Sequence, residues 1–233
     1  MQRRGLVVAI DGPSGSGKST VARRVAATAG LRYLDTGAMY RALTWLALQQ
    51  GIAPTDEAAV TRLADSARLD VDLDPRCPRI VADGTDVTAA VRTPEVTAAV
   101  SAVSAVGGVR RAMVERQQRL IAAGGIVVEG RDIGTTVAPA APVKVFLTAS
   151  SGARAARRAR QDADGSAAVD VAATEADLHR RDRLDSSRPT SPLTQAPDAL
   201  VVDSTGLDVD QVVRLVLDRI VAVEPGLAGT GHG

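Results

Sequence analysis

The stretch VVAIDGPSGSGKSTVARRV, residues 7–25, decides the fold of this chain. It begins with an apolar run of the length of a buried strand, continues through a loop of Gly, Pro and Ser, and ends with the apolar spacing of a helix. Residues 12–19, GPSGSGKS, match the pattern G-x-x-x-x-G-K-[ST] in full. The stretch therefore predicts a strand, a phosphate-binding loop and a helix in direct succession.

The residue types in this loop suit the binding of a nucleoside triphosphate. Glycines allow successive backbone N–H groups to curl around phosphate oxygens, and the start of the helix directs its positive dipole end at the same place. Lys18, one of two lysines in the chain, adds a full positive charge, and the hydroxyl of Ser19 suits a magnesium ion. The residues predicted to contact the triphosphate are Gly12, Pro13, Ser14, Gly15, Ser16, Gly17, Lys18, Ser19 and Thr20.

The rest of the chain continues the alternation of strands and helices. Apolar runs that alternate with helices indicate a parallel sheet covered on both faces. The predicted strands are 6–10, 31–34, 126–129, 143–147 and 200–203, and the helical segments are 39–48, 109–123 and 209–221. We therefore expect a doubly wound α/β domain with a parallel sheet of about five strands, whose carboxyl ends bind the ligand.

One region departs from this alternation. Residues 69–73 alternate between apolar and polar side chains, and Asp83-Gly84 separates two further short stretches at 80–82 and 85–87. An Asp-Gly pair between short strands is a strong hairpin signal. We predict a small antiparallel meander over 68–92, inserted into a core of 1–67 and 93–223, with surface decoration as the alternative. The Gly-rich tail 224–233 is expected to be disordered.

Composition excludes several classes of function. The chain has 233 residues, a net charge of +1 and 2% aromatic residues, so neither a general attraction to nucleic acid nor a base-stacking surface is expected. Cys77 is the only cysteine, the two histidines have no cysteine partners, and no apolar run is long enough to cross a membrane. We expect a cytoplasmic monomer that binds small molecules rather than nucleic acid or membranes.

Three classes of P-loop protein remain to be weighed. A GTPase switch usually reads guanine with an N-K-x-D segment, and this chain contains no asparagine. Nucleic-acid motors are commonly larger or carry basic, aromatic surfaces, and this chain has neither feature. A small-molecule kinase needs a second pocket for its acceptor and arginines that neutralise charge on the transferred phosphoryl group.

Two clusters of arginines favour the kinase. Each has the spacing of one helical face: Arg154, Arg157 and Arg158 at i, i+3 and i+4, and Arg181, Asp185 and Arg188 at i, i+4 and i+7. The clusters enclose the polar segment 161–178, which we predict to move as a lid, within a lid region of about 150–188. A solvated, salt-bridged helix face is the alternative.

Taken together, these segments resemble a known family. The motifs AIDGPSGSGKST, LDTGAMYR, VVEGRDIGT, APVKVFLTAS and RRDRLDSSRPTSPL are similar, in order and spacing, to those of the bacterial cytidylate kinases, from about residue 5 to 221. The resemblance implies a P-loop kinase-type fold with a helical lid and an insertion in the acceptor-binding region. It implies ATP and Mg²⁺ as cofactors, and CMP and dCMP as acceptors. A nucleotide-dependent switch or another nucleoside monophosphate kinase is the alternative.

The resemblance also implies roles for individual residues. The acceptor side would be lined by Thr36, Tyr40, Arg41 and Ser101, and the acceptor phosphate would be held by Arg41, Arg131 and Arg188. The base would be recognised by Arg110 and Asp132, and the ribose would be contacted by Arg181 and Asp185. ATP would be contacted by Arg154 and Arg157. Lys18, Arg131 and Arg188 would supply the catalytic charges, and Ser19 the metal ligand. No general base is expected, because the attacking phosphate oxygen is already ionised. Glu129 could orient magnesium through water.

Overall fold

The computed structural model describes residues 5–162, 171–188 and 190–224, and its elements follow the predicted alternation. Along the chain they are β1 (Val7–Asp11), α1 (Lys18–Ala29), β2 (Arg32–Asp35), α2 (Thr36–Gln49), α3 (Glu57–Ser66), β3 (Leu69–Val71), β4 (Ile80–Ala82), β5 (Thr85–Asp86), α4 (Pro94–Ala105), α5 (Gly107–Ile121), β6 (Ile126–Gly130), β7 (Val143–Thr148), α6 (Ser151–Asp162), α7 (Val171–Ser186), β8 (Leu200–Asp203) and α8 (Val209–Val223). One 3₁₀ turn (Ala90–Arg92) and one π turn (Ile133–Val137) complete the description.

In the described part of the chain, the larger sheet is parallel and has the strand order β2-β6-β1-β7-β8. Each of its five strands lies within one residue of a predicted strand at either end, which confirms the α/β fold class. The register pairs Asp35 with Glu129, and it pairs Asp11 with Gly130. The carboxyl ends of β1, β2 and β6 therefore meet at one edge, where a ligand is expected.

Apolar side chains of successive strand residues pack on opposite faces of this sheet. On one face Ala9, Leu34 and Val128 pack under α2, α3, α4 and α5. On the other, Ile10, Val127 and Val145 pack under α1 and α8. Because both faces are buried, the strands read as continuous apolar runs rather than as alternating ones.

Local signals set the helix ends. The Asp35 carboxylate accepts a hydrogen bond from the Ala38 amide at 2.9 Å and caps α2, which therefore begins at Thr36, three residues before the predicted start. Asp208 and Gln211 form a reciprocal capping box at the start of α8. Gly30 ends α1 with a φ of 63°, a left-handed conformation that costs glycine little.

The predicted meander forms a three-stranded antiparallel sheet, β3-β4-β5. Asp83 and Gly84 both have positive φ, 45° and 82°, as the tight turn of a hairpin requires. Ile80 and Ala82 of β4 are buried in the core with α2, so this sheet is more than surface decoration. The backbone amide of Tyr33 donates to Leu73 O at 2.9 Å, which ties the meander to the edge strand β2.

The structure corrects one helical prediction. α7 ends at Ser186, so Arg188 lies beyond the helix and does not share a helical face with Arg181 and Asp185. Residues 163–170 of the predicted lid segment and residues 225–233 of the predicted disordered tail lie outside the described residues. Across the three described ranges, no helix combines the length and apolar character needed to cross a bilayer.

Candidate active site

A cleft of about 1770 Å³ lies at the carboxyl ends of β1, β2 and β6. Residues 14–19 of the phosphate-binding loop form one end of the cleft, and side chains from α2, α4 and α5 form the other. α6 and α7 contribute to the space between these two ends, where Arg157, Arg158, Arg181 and Asp185 line the cleft. All the predicted acceptor-binding residues and most of the predicted triphosphate-binding residues therefore line one cavity, whereas Gly12, Pro13 and Arg154 do not line it.

The conformation of the phosphate-binding loop depends on its glycines. Gly12, Gly15 and Gly17 have φ values of 150°, 77° and 92°. A Cβ on Gly12 would lie 2.0 Å from Leu147 O, a distance that no side chain can occupy. α1 begins at Lys18, directly after Gly17, so its positive dipole end faces the loop.

The side chain of Lys18 folds back across the phosphate-binding loop. Its Nζ donates to Pro13 O at 2.7 Å, and its side chain is buried. Burial, and next the nearby Arg131 guanidinium, lower the pKa of Lys18 to about 7. A bound phosphate group would favour the charged ammonium, because an opposite charge at close range offsets desolvation.

Ser19 and Glu129 meet below the loop. The Ser19 hydroxyl donates to Glu129 Oε2 at 3.0 Å, and the Thr36 hydroxyl donates to the backbone carbonyl of Glu129 at 2.7 Å. Burial, and next the Asp35 carboxylate, raise the pKa of Glu129 to about 7. Hydroxyl and carboxylate oxygens are the ligand types that suit Mg²⁺.

The two predicted ATP-binding arginines of α6 contact the backbone of the loop. Arg154 Nη1 donates to Ser14 O at 2.9 Å and also pairs with Asp182 of α7. Arg157 Nη1 donates to Ser16 O at 3.3 Å and to the Ser204 hydroxyl at 2.9 Å. Both guanidinium groups therefore lie beside the loop, where a triphosphate would place its charge.

At the other end of the cleft, Arg110 of α5 pairs with Asp132, which follows β6. The Arg110 guanidinium also lies over the Tyr40 ring, 5.4 Å from its centroid. Arg110 Nη1 donates to the carbonyl of Ser104, which is buried one turn of α4 beyond Ser101. The residues predicted to read a base are therefore in contact and enclosed by polar and aromatic side chains.

Asp185 lies between two of the predicted phosphate-binding arginines. It accepts from Arg131 Nε at 2.8 Å and pairs with Arg188, whose position after α7 does not prevent this contact. Burial alone would raise the pKa of Asp185, but Arg131 and Arg188 together hold it below its ordinary value. Arg131 also donates to Gly12 O at 3.0 Å, so it connects the acceptor end to the phosphate-binding loop.

Arg41 and Arg181 add further positive charge to this wall. Arg41 donates to Val91 O at 3.1 Å and to the Thr97 hydroxyl at 2.8 Å, neither of which carries a negative charge. Burial, and next the Arg181 guanidinium, lower the pKa of Arg41 to about 9. Burial also lowers the pKa of Arg181, with Arg131 as the next cause. These guanidinium groups repel one another, so this wall of the cleft suits a bound anion, which would offset the repulsion.

Several residues of the site were not predicted from the sequence. Asp11 accepts hydrogen bonds from the Ile133 and Gly134 amides at 2.8 and 2.7 Å, and so fixes the turn that follows Arg131 and Asp132. In the sequence, the only indication of this role was that Asp11 is a carboxylate at the end of an apolar strand. Asp182 accepts from the Ser14 amide at 3.1 Å, and only its place between Arg181 and Asp185 could have indicated it.

Tyr33 and Ser104 were also missed, and for a different reason. Tyr33 donates a hydrogen bond to Glu129 Oε1, but in the sequence it reads as an ordinary aromatic residue of a buried strand. The Ser104 hydroxyl accepts from Arg188 at 3.2 Å, although nothing in the sequence connects these two positions. Contacts of this kind depend on how distant elements pack.

The chain is similar to known proteins over almost its whole length. Residues 8–222 match the family model for cytidylate kinase. A cytidylate kinase of Streptomyces avermitilis is 52% identical over 217 residues, covering 92% of each chain. One from Corynebacterium diphtheriae is 50% identical over 221 residues, covering 94% of this chain and 96% of that one.

A solved structure provides a comparison of fold alone. An uncharacterized protein from Eubacterium ventriosum superposes with a TM-score of 0.51 at 12% identity, covering 93% of this chain and 98% of that chain. The assignment to a family rests on the sequence relatives, because they are about 50% identical to this chain over almost its full length. They confirm the predicted resemblance, and the chain belongs to the cytidylate kinase family.

Proposed function

We propose that the protein transfers the γ-phosphoryl group of ATP to CMP, and also to dCMP. The observation that carries this proposal is the buried Arg110–Asp132 pair, which shares one cleft with the phosphate-binding loop. The loop suits the donor triphosphate, and the pair suits a pyrimidine that carries an exocyclic amine. A nucleotide-dependent switch would have no need for a second, base-reading pocket.

The chemistry of cytosine matches the two side chains of this pair. Its exocyclic N4 amine is a donor that Asp132 can accept, and its N3 and O2 atoms are acceptors for the Arg110 guanidinium. Uracil has an acceptor at O4 and a donor at N3, so it would place an oxygen against the Asp132 carboxylate. An unpaired buried polar group costs about 1–3 kcal/mol, and more when it is charged, so at least tenfold discrimination is expected.

Phosphoryl transfer would depend on charge neutralisation and positioning. An oxygen of the CMP phosphate attacks the γ-phosphorus in line, the bond to the β–γ bridging oxygen breaks, and the products are CDP and ADP. We assign Lys18, Arg131 and Arg188 to the charge of the transferred group. Arg41 is assigned to the acceptor phosphate, while Arg181 and Asp185 are assigned to the ribose. Thr36, Tyr40 and Ser101 complete the acceptor wall.

Ser19 and Glu129 are the residues that would hold Mg²⁺ at the phosphate end. Their oxygens lie 3.0 Å apart, at the bottom of the loop, and both are of a type that this ion accepts. The ion would contribute charge neutralisation on the β- and γ-phosphates. The Ser19 proton is directed to Glu129, so the free lone pairs of the hydroxyl are available to a cation.

Closure of α6 and α7 would exclude water, which competes with CMP as a nucleophile. The contacts that support a lid are those of Arg154, Arg157 and Asp182 with the phosphate-binding loop. We also propose that the protein acts as a monomer in the cytoplasm; the free, exposed Cys77 supports the reducing compartment. The division into a core of 1–67 and 93–223 and an insertion of 68–92 is part of the same proposal.

A panel of acceptors tests the function directly. Purified protein is incubated with ATP, Mg²⁺ and each of CMP, dCMP, UMP, AMP and GMP, while release of ADP is followed by a coupled assay. We expect rapid release with CMP and dCMP, release at least tenfold slower with UMP, and little release with the purines. Slow hydrolysis that does not depend on the acceptor would favour the switch and contradict the proposal.

A further inference from the structure

Tyr33 has its ring in the core but its hydroxyl at the metal end of the site. The ring packs with α1 residues beneath the sheet and is 2% exposed. The hydroxyl donates to Glu129 Oε1, and the backbone amide is held by Leu73 O of the meander. Burial raises the pKa of this phenol far above its ordinary range, so it remains a donor at any working pH.

Glu129 has a donor on each of its two oxygens. Oε1 accepts from Tyr33, while Oε2 accepts from the Ser19 hydroxyl at 3.0 Å. Glu129 is 3% exposed, so both of these hydrogen bonds are largely shielded from water. These contacts form a chain, Tyr33–Glu129–Ser19, that runs from the core to the phosphate-binding loop.

The order of donors in this chain determines what Ser19 can bind. A hydroxyl that coordinates a cation must turn its lone pairs toward the ion and its proton toward an acceptor. Glu129 Oε2 is that acceptor. The terminal torsion of a glutamate is broad and has no strong intrinsic preference, so its carboxylate needs a second contact to hold one orientation. Tyr33 supplies that contact through Oε1.

We infer that Tyr33 is a positioning residue for the metal end of the site: its hydroxyl orients Glu129, which in turn orients the Ser19 hydroxyl toward Mg²⁺. The inference rests on the proposed use of ATP with Mg²⁺. It predicts that Tyr33 strengthens the coupling between Mg²⁺ and ATP, while contributing little to the affinity for ATP without metal. Outer contacts of this kind commonly tune metal binding.

The chain contains a matched control, because it has two tyrosines and both are buried. Tyr33 lies at the metal end, whereas Tyr40 stacks with Arg110 at the acceptor end. Tyr33→Phe and Tyr40→Phe each remove a single hydroxyl from a buried ring. The first is expected to weaken metal coupling and leave CMP binding intact, while the second leaves metal coupling intact.

The experiment measures the dissociation constant of ATP by calorimetry, once in EDTA and once in excess Mg²⁺. The ratio of the two constants reports metal coupling. We expect Tyr33→Phe to reduce this ratio by roughly three- to tenfold, the range of one hydrogen bond, and to keep the value in EDTA within about twofold. An unchanged ratio would overturn the inference, and so would equal weakening with and without Mg²⁺, which marks a merely structural role.

A double-mutant cycle tests whether Tyr33 acts through Glu129. Glu129→Gln is expected to reduce the ratio, and the double variant Tyr33→Phe/Glu129→Gln is expected to lose no more than Glu129→Gln alone. Additive losses would contradict the chain of contacts. If Tyr33→Phe fails to fold, the Glu129→Gln variant still keeps the inference falsifiable, because an unchanged ratio there removes the acceptor role on which the inference depends.

Failure of the proposed function can be told apart from failure of this inference. The acceptor panel with the unaltered protein reports phosphoryl transfer, whereas the ATP binding ratio reports metal coupling without any acceptor. A protein that phosphorylates CMP but shows no effect of Tyr33→Phe overturns the inference alone. A protein that shows the effect but transfers no phosphoryl group overturns the proposed function alone.

Discussion

Arg110 and Asp132 form an ion pair inside the cleft, with side chains that are only 2% and 6% exposed. Each charge depends on the other, because desolvation of a lone charge at this position would be costly. The Tyr40 ring and Ser104 O also contact the Arg110 guanidinium, so three contacts together fix its orientation. If the pair reads a base as proposed, this fixed arrangement reduces the cost of ordering the pocket on binding.

Removal of either partner should affect CMP far more than ATP. We expect Asp132→Ala and Arg110→Ala each to lower kcat/KM for CMP by roughly 100-fold, because a buried charge is left without its partner and the base loses one contact. The KM for ATP should change by less than about threefold, since the phosphate-binding loop is untouched. Steady-state kinetics with each substrate varied in turn measures both effects.

An exposed pair in the meander provides the control for these variants. Arg79 and Asp86 are joined at 2.8 Å, but their side chains are 55% and 46% exposed. Asp86→Ala should leave both KM values unchanged, because exposed ion pairs contribute little. Equal losses for CMP and ATP in Asp132→Ala would show that the base-reading assignment is wrong.

The two lysines of the chain allow a second matched test. Lys18→Ala should reduce phosphoryl transfer on the order of a thousandfold, because a positioned positive charge at the transferred group is lost. Lys144→Ala removes a lysine that pairs with Asp198 at 2.9 Å and does not line the cleft, and we expect it to retain activity. The coupled ADP assay measures both, with circular dichroism to verify folding. An active, folded Lys18→Ala protein would contradict the assigned role.

Two adjacent glycines at the start of α5 should respond in opposite ways to alanine. A Cβ on Gly108 would lie 2.4 Å from both Thr61 Cγ2 and Oγ1 and 2.9 Å from Thr61 Cβ, so rotation of Thr61 cannot relieve the clash. Gly108→Ala should therefore lower the free energy of unfolding by about 1–3 kcal/mol. A Cβ on Gly107 meets nothing within 4 Å among the described residues, so Gly107→Ala should be neutral or stabilising by up to about 1 kcal/mol.

Urea denaturation of the two variants measures this difference. Because both sites lie in the first turn of the same helix, their helix propensities are matched, and only the contact with Thr61 differs. Equal stability of Gly107→Ala and Gly108→Ala would show that α3 and α5 pack less closely than described.

Asp11 should give the stability of the protein a distinctive pH dependence. Burial is the largest cause that raises the pKa of Asp11, from an ordinary 3.8 to about 6, although the Gly134 and Ile133 amides oppose it. The folded state then holds more protons than the unfolded state between these two values. The contribution of Asp11 is therefore fully present below pH 3.8 and is lost as the pH rises through about 6.

Asp11→Asn, which resembles the protonated acid, should remove this dependence. Unfolding free energies of both proteins are measured in urea at several values between pH 4 and 7. The stability of the unaltered protein relative to the variant should decrease across this range. A difference that stays constant with pH would show that Asp11 is not protonated in this window.

Much of the fold was predictable because its signals are local. The pattern of residues 12–19, the five apolar runs and the Asp83-Gly84 turn each depend on a few neighbouring residues, and all three predictions are confirmed. The family was predictable for the same reason, since its motifs are short and ordered along the chain. The individual site roles remain predictions, although the structure brings most of the predicted residues to one cleft.

Where a local pattern was extended too far, the prediction was wrong. Helical spacing placed Arg188 on the same face as Arg181 and Asp185, but α7 ends at Ser186. The contact between Arg188 and Asp185 survives because a side chain as long as arginine can reach back from the segment that follows the helix. The sequence did contain a signal against this extension, because Pro189 follows Arg188 and the residue before a proline disfavours the helical conformation.

The sequence by itself determined that a parallel α/β sheet presents a phosphate-binding loop, because strand length, glycine placement and helix periodicity are written in adjacent residues. Only the tertiary structure decided which side chains share a hydrogen bond across the cleft. Tyr33 and Glu129 are 96 residues apart, and Arg131 and Asp185 are 54 apart. Such contacts arise when parallel strands align their ends and helices pack over them, and no local pattern of residues carries that information.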